Sequence, residues 1–267
     1  MELQDRDLEI LKFCLEQKFA TLLQIGKMFF PESRDIFHRP VKRVCELVNE
    51  GLLKAEQLRV CEKKLYVTTK AGVKLLKQKG RDHGLQAVGG LDTRTLEHDE
   101  TVTEVRIIFD RLLGLSQWTP ERVLKQKAVK AKVPDGLVEY HAWNFAVEVE
   151  RTLKNKRYYE KIFNSDYTRQ DGIYGILYIM NSESDMKWLM NEAKDTQGVF
   201  FTTLQDLDCM PYGKAPFVNA SHELIEMRLN GPGSVHFADL WEESVSDDEI
   251  DPFDDMRKDD EEYGAIV

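Results

Sequence analysis

The chain has 267 residues, 42% of them hydrophobic, and a formal net charge of −10, which is enough length for two domains. It holds no run of about 18 apolar residues, as a membrane span needs, and its first residues lack the basic-then-apolar pattern of a signal peptide, so a cytoplasmic protein with no membrane association is expected. Its four cysteines, Cys14, Cys45, Cys61 and Cys209, are scattered with no CxxC pair, which argues against a zinc site or a disulfide frame.

Residues 5–17 read as a helix with Asp5 as N-cap and Leu8, Leu11, Phe13 and Leu15 as apolar positions. Thr21 caps a short second helix that ends near Phe30 and Pro31. A third helix is predicted over 35–50, with Val41, Val44, Leu47 and Val48 inward and Gly51 as its stop. Pro40 fits if that helix starts at Arg39, because proline is tolerated in a first turn. The other side of this helix carries Arg34, His38, Arg39, Lys42 and Arg43. Residues 52–61 and 65–68 read as two strands around a polar turn of Glu62, Lys63 and Lys64, and a helix follows from Thr69 to Gly80. Residues 1–80 hold sixteen lysines and arginines against eleven acids.

The run Val48, Asn49, Glu50, Gly51, Leu52, Leu53 and the run from Leu65 to Gly72 resemble the winged helix-turn-helix pattern over residues 5–80. That resemblance implies a third helix in the major groove of double-stranded DNA and a wing on the backbone or minor groove. Arg34, His38, Arg39, Lys42 and Arg43 would then reach phosphates or guanine edges, with Lys63 and Lys64 at the wing tip. A solvated basic helix face and a protein-binding winged helix are the alternatives.

Residues 81–95 read as a linker, with glycines at 84, 89 and 90. A helix is predicted over 95–113 with Val102, Val105, Ile108, Phe109 and Leu112 as its apolar stripe. His98 lies on that stripe, flanked by Glu97, Glu100 and Glu104. Residues 125–132 read as a strand with a basic side. Pro134 and Asp135 stand at the mouth of one short strand. In the next, Phe145, Val147 and Val149 point to one face and Ala146, Glu148 and Glu150 to the other. If those strands pair, Asp135, Glu148 and Glu150 come together, and a group of carboxylates suits a hard cation such as Mg²⁺ or Mn²⁺. The same residues also suit an ordinary turn and the wet face of an amphipathic strand. A basic and aromatic helix is predicted over 153–164, then a strand over 173–180, a helix over 184–194 and a strand over 198–203. Residues 207–232 read as loops, with one strand near 226–229. From 239 to 267 there are thirteen acids against Arg257 and Lys258, which predicts a disordered acidic tail with a solvating or regulatory role.

Pro134 and Asp135, followed by Glu148, Val149 and Glu150, resemble the PD-(D/E)xK nuclease core. The resemblance implies Asp135, Glu148 and Glu150 at a metal, Mg²⁺ or Mn²⁺ if the site is active and none otherwise. Glu150 stands where that pattern has lysine: some active restriction endonucleases that it resembles there use Glu-x-Glu, and in others a lysine on the next helix takes over, a role open here to Lys154 or Lys161, and His98 could face the site.

The whole layout over residues 5–205, including Leu96, Glu97 and His98, resembles the replication-relaxation family of plasmids, phages and integrative elements. It implies an α/β chain (α+β overall): a winged helix at 1–80, a linker at 81–95, a PD-(D/E)xK-like mixed sheet with flanking helices at 96–238, and the tail at 239–267. The role implied is control of plasmid or phage replication, or mobilisation. Three readings stay open. The first is a DNA-binding protein whose nuclease-like part is a binding or assembly module, beside a replication or mobilisation partner. The second is a metal-dependent endonuclease, and the third a transcriptional regulator whose second domain forms a homodimer or senses a partner.

Overall fold

Short-range signals start the first helices. The Thr21 hydroxyl accepts the Gln24 N–H at 3.2 Å, and the Gln24 side chain accepts the Thr21 N–H at 2.9 Å. This reciprocal cap starts α2 (Leu22–Phe29). In α1 (Asp5–Glu16) the cap is Gln4, one residue before the expected Asp5, which becomes the first helical residue. The computed structural model describes residues 2–31, 38–112, 118–127, 132–140, 143–163, 172–209 and 214–228. Arg34 and the acidic tail lie outside them. All described residues belong to one compact unit within Met1–Asn230.

Between α1 and α2 lies a two-residue strand, β1 (Ala20–Thr21). Then come α3 (His38–Asn49), β2 (Leu53–Glu56), β3 (Leu65–Thr68) and α4 (Lys70–Gln78). Pro40 falls in the first turn of α3, as its missing N–H allows. Gly51 ends that helix with φ +68°, a left-handed backbone that favours glycine. The first expected strand runs shorter than predicted. It stops at Glu56, and Gln57 donates from its amide to the carbonyls of Cys61 and Glu62, at 2.8 and 2.9 Å, holding a turn instead. The sheet order is β1-β3-β2, antiparallel throughout.

The rest of the unit holds α5 (Leu96–Leu112), β4 (Trp118–Pro120), α6 (Glu121–Lys127), β5 (Gly136–Tyr140), β6 (Trp143–Glu150), α7 (Lys156–Phe163), β7 (Ile173–Met180), α8 (Glu183–Glu192), β8 (Val199–Thr203), α9 (Leu204–Cys209), β9 (Lys214–Asn219) and β10 (Leu224–Arg228). Its seven strands run in the order β10-β9-β8-β7-β6-β5-β4. The β6–β7 and β7–β8 pairs are parallel and the others antiparallel. Parallel neighbours need crossover connections, and α7 and α8 supply them. The chain is thus the mixed α and β protein that the sequence predicts.

Burial follows the alternation of β6. Val147 and Val149 join Leu177 and Ile179 of β7 against Val102, Val105 and Phe109 of α5. Ala146 points the other way and packs with Ile176 and Met180 against Tyr159 and Ile162 of α7 and Leu189 of α8. A third cluster centres on Leu11, Cys14, Leu47 and Leu76, and it takes in Leu85, Ile107 of α5 and Val123 of α6. Ile107 is outside the predicted stripe of α5, so this helix buries two faces. No helix among the described residues is long and apolar enough to cross a membrane.

Three predicted elements are corrected. Residues 125–127 belong to helix α6, not to a strand. Glu121 and Lys125 stand one turn apart and pair at 2.5 Å, a helical spacing that outweighs a few alternating residues; residues 128–131 lie outside the described ones. Helix α7 starts at Lys156, so Lys154 sits in the connection before it. Within residues 207–232, read as loops with one strand near 226–229, the described residues form the end of α9 and the strands β9 and β10, which pair over five positions. Short edge strands of mixed polarity carry little period for a sequence reading to detect.

Candidate carboxylate site and nucleic-acid interface

Strands β5 and β6 pair antiparallel, with Gly136 opposite Val147. Asp135 therefore stands level with Glu148. Gly136 is required here, because a Cβ would lie 2.1 Å from the Trp118 ring. Asp135 is fixed from three sides. Its Oδ2 accepts the Val149 N–H at 2.8 Å, its carbonyl accepts the Glu121 N–H at 3.2 Å, and its Oδ1 lies 3.1 Å from Nε2 of His98. The hydrogen bond with Asp135 raises the His98 pKa above the ordinary histidine range. The first turn of α5 is thereby tied to the start of β5.

Glu148 and Glu150 lie on the face of β6 that Ala146 shares, and are only 5% and 4% exposed. Each meets a lysine: Nζ of Lys132 is 2.7 Å from Glu148 and Nζ of Lys154 is 2.6 Å from Glu150. The ring of Tyr158 stands beside both, 5.6 Å from Lys132 Nζ and 4.7 Å from Lys154 Nζ. Burial opposes the Lys154 ammonium, but its hydrogen bond with Glu150 and that residue's charge outweigh this, and its pKa is raised. On β7, Tyr178 pairs with Glu148 in register. Its hydroxyl is buried and has no hydrogen-bond partner among the described residues. Burial first, and the two glutamates next, hold it well above the ordinary phenol range.

The strand pairing thus brings Asp135, Glu148 and Glu150 to one end of the β5–β6 ladder. It does not aim them at one point. Asp135 turns to α5 and the glutamates turn to the opposite face. Among the described residues no three His, Cys, Asp or Glu side chains form a group that could hold a metal ion. Carboxylates are the donors a hard cation takes, but as arranged each is already matched by a donor of this chain.

The basic residues divide. On α3, Arg39 and Lys42 are exposed, while Val44 and Leu47 are buried. His38 opens the helix, and its side chain lies outside the described ones. Arg43 turns inward. Its Nε is 2.5 Å from Asp7, its Nη2 pairs with the same carboxylate, and its Nη1 is 2.7 Å from Glu46. The hydrogen bond with Asp7, foremost, raises its pKa. On the β2–β3 turn Lys64 is exposed, whereas Lys63 reaches Glu100 of α5 at 2.5 Å. Lys18 and Lys27 likewise meet Asp99 and Glu104 of α5, at 2.6 and 3.0 Å. Glu100 and Glu104 therefore anchor the β2–β3 turn and α2.

Sequence reasoning missed the pairing of Lys132 with Glu148 and the place of Tyr178. For the tyrosine a signal existed: it is one of two phenols in the mostly apolar strand 173–180, the strand next to the acids.

The family model described as replication-relaxation matches residues 11–173, more than half of the chain. Comparisons with curated proteins and with solved structures gave no match.

Proposed function

The chain belongs to the replication-relaxation family, and on that premise we propose that it is a DNA-binding protein of a mobile element, acting in plasmid or phage replication control or in mobilisation. In this reading residues 1–80 are a winged helix on duplex DNA, and the seven-stranded part is a nuclease-like module used for binding or assembly. The observation that carries the reading is the exposure of Arg39 and Lys42 on α3, opposite a buried Val44 and Leu47. A helix with one apolar face in a core and basic residues on its open side suits contact with phosphates. The exposed Lys64 on the β2–β3 turn suits a wing contact. Arg43 and Lys63 hold other elements of the same chain and are left out of the interface.

The full chain titrated onto duplex DNA tests this. Binding that falls steeply with rising salt is expected, since neutralised phosphates release counterions; no binding at low salt overturns the reading. A second reading, a metal-dependent endonuclease, has one observation in its favour: three carboxylates at one end of the β5–β6 pair. Supercoiled plasmid incubated with the protein and Mg²⁺ or Mn²⁺ separates the two. Intact plasmid supports the module. Nicking that is lost in Asp135→Ala/Glu148→Ala establishes the enzyme.

A further inference from the structure

Helix α4 carries cations and no acid. Lys70, Lys74 and Lys77 recur at the i, i+4 and i+7 spacing, so they form one stripe along the helix, and all three are exposed. Gly72, Val73 and Leu76 bury its other side. None of the three lysines makes an ion pair or a side-chain hydrogen bond among the described residues. The acids of neighbouring elements are engaged away from the stripe. Asp5 and Glu9 of α1 hold Arg81, at 3.2 and 3.0 Å, and Glu56 of β2 holds Lys54 at 2.9 Å.

This pattern works against the helix itself. Like charges four residues apart repel, and a lysine at the first helical position meets the positive end of the helix dipole. Other helices of the chain avoid both. Acids stand in the first turns of α1, α5, α6 and α8, and the lysines of α6 and α8 meet acids one turn away, Lys125 with Glu121 at 2.5 Å and Lys187 with Glu183 at 2.6 Å. The start of α4 is nonetheless firmly held. The Thr69 hydroxyl accepts the Gly72 N–H at 3.1 Å and donates to the Gly51 carbonyl at 2.6 Å. A Cβ at position 72 would lie 2.5 Å from the Leu52 carbonyl oxygen, so the helix packs directly on the turn that follows α3. The stripe therefore begins beside the end of the helix whose open side is assigned to DNA.

We propose that the lysine stripe of α4 is a second contact surface for the phosphate backbone of duplex DNA, in addition to α3 and the β2–β3 turn. This inference deepens the DNA-binding reading and rests on it. The stripe is about 10 Å long, a length over which a duplex presents about six phosphate charges. Lysine meets a phosphate as a point charge and lacks the planar fork that reads a guanine edge, so the stripe adds affinity that does not depend on base sequence. On α4 no large apolar side chain is exposed. The centre of a protein interface needs such side chains, which favours a phosphate backbone over an acidic protein as the occupant.

The test titrates the full chain onto two duplexes of unrelated sequence over a series of salt concentrations. Wild type is compared with Lys70→Gln/Lys74→Gln/Lys77→Gln and with Lys70→Arg/Lys74→Arg/Lys77→Arg, since glutamine and arginine match lysine in helix propensity. The glutamine variant should lose about three from the slope of log affinity against log salt and bind at least about tenfold more weakly at low salt, by the same factor on both duplexes. The arginine variant should keep the wild-type slope. A glutamine variant with the wild-type slope and affinity overturns this proposal and leaves the α3 assignment standing, whereas a wild type that binds neither duplex overturns both. A loss confined to one duplex overturns the assignment to the backbone. Poly-glutamate held more tightly than duplex by the wild type, with that difference abolished in the glutamine variant, overturns it in favour of an acidic protein partner.

Discussion

On β5 and β6 each acid singled out by the sequence has a partner from the same chain: His98 and a backbone N–H for Asp135, Lys132 for Glu148, Lys154 for Glu150. On α3 two successive basic positions part company. Arg39 and Lys42 face outward, and Arg43 is spent on Asp7, which is 0% exposed. Both regions are rich in charge, yet one balances its charge internally and the other leaves part of it open. A charged residue's type says little about its role; what decides is whether an opposite charge is folded against it.

The comparison can be broken most strongly at Arg43. Arg43→Ala would leave the buried Asp7 carboxylate without its cation, bonded only to the Gln4 N–H, and a loss of about 3 kcal/mol in unfolding free energy is expected, read by chemical denaturation. The salt dependence of DNA binding by the folded variant should stay as in the wild type. On the acidic side, Lys154→Met strips the cation from the buried Glu150. Because Lys154 is half exposed, solvent takes up part of the effect, and about 1–2 kcal/mol is expected, recovered largely when Glu150→Gln is added.

Asp110 offers a third test. Its carboxyl holds its proton up to about 6, above the unfolded value of 3.8. The folded state therefore binds more protons than the unfolded chain in that window, and stability falls as pH rises through it. Asp110→Asn should gain about 1–2 kcal/mol at pH well above 6, a gain that vanishes near 3.8. The smallest effect concerns His98. Its folded pKa is raised above 6.5 by Asp135, so its contribution is full below 6.5 and lost as pH rises through the folded value. The stability difference between wild type and His98→Gln should shrink across that range, by about 1 kcal/mol or less.

Much of the framework was legible in the sequence, for reasons of short range. The Thr21 cap, the apolar strand Ile173–Met180 and the alternation of Val147, Val149 with Glu148, Glu150 depend on neighbours within a few residues. What escaped depends on distant partners. Nothing near Arg43 announces Asp7, 36 positions earlier, and nothing near Lys63 announces Glu100, 37 positions later. Helix α5 shows the same limit. One stripe was readable, but Ile107 and Arg106 serve a second face whose partner is the N-terminal core, and two half-stripes blur the period of each. The acids of β5 and β6 were correctly brought to neighbouring strands, while their individual cations were not foreseen, since Lys132 and Lys154 lie outside both strands.

The most direct test of the central claim compares Arg39→Ala/Lys42→Ala with Arg43→Ala on the same duplex DNA over a series of salt concentrations. The account predicts that the double variant loses about two from the slope of log affinity against log salt and binds at least about tenfold more weakly at low salt. It predicts that the folded Arg43→Ala protein keeps the wild-type slope. A double variant with unchanged affinity and slope, or an Arg43→Ala protein that loses slope instead, would contradict the assignment of α3's open side to DNA.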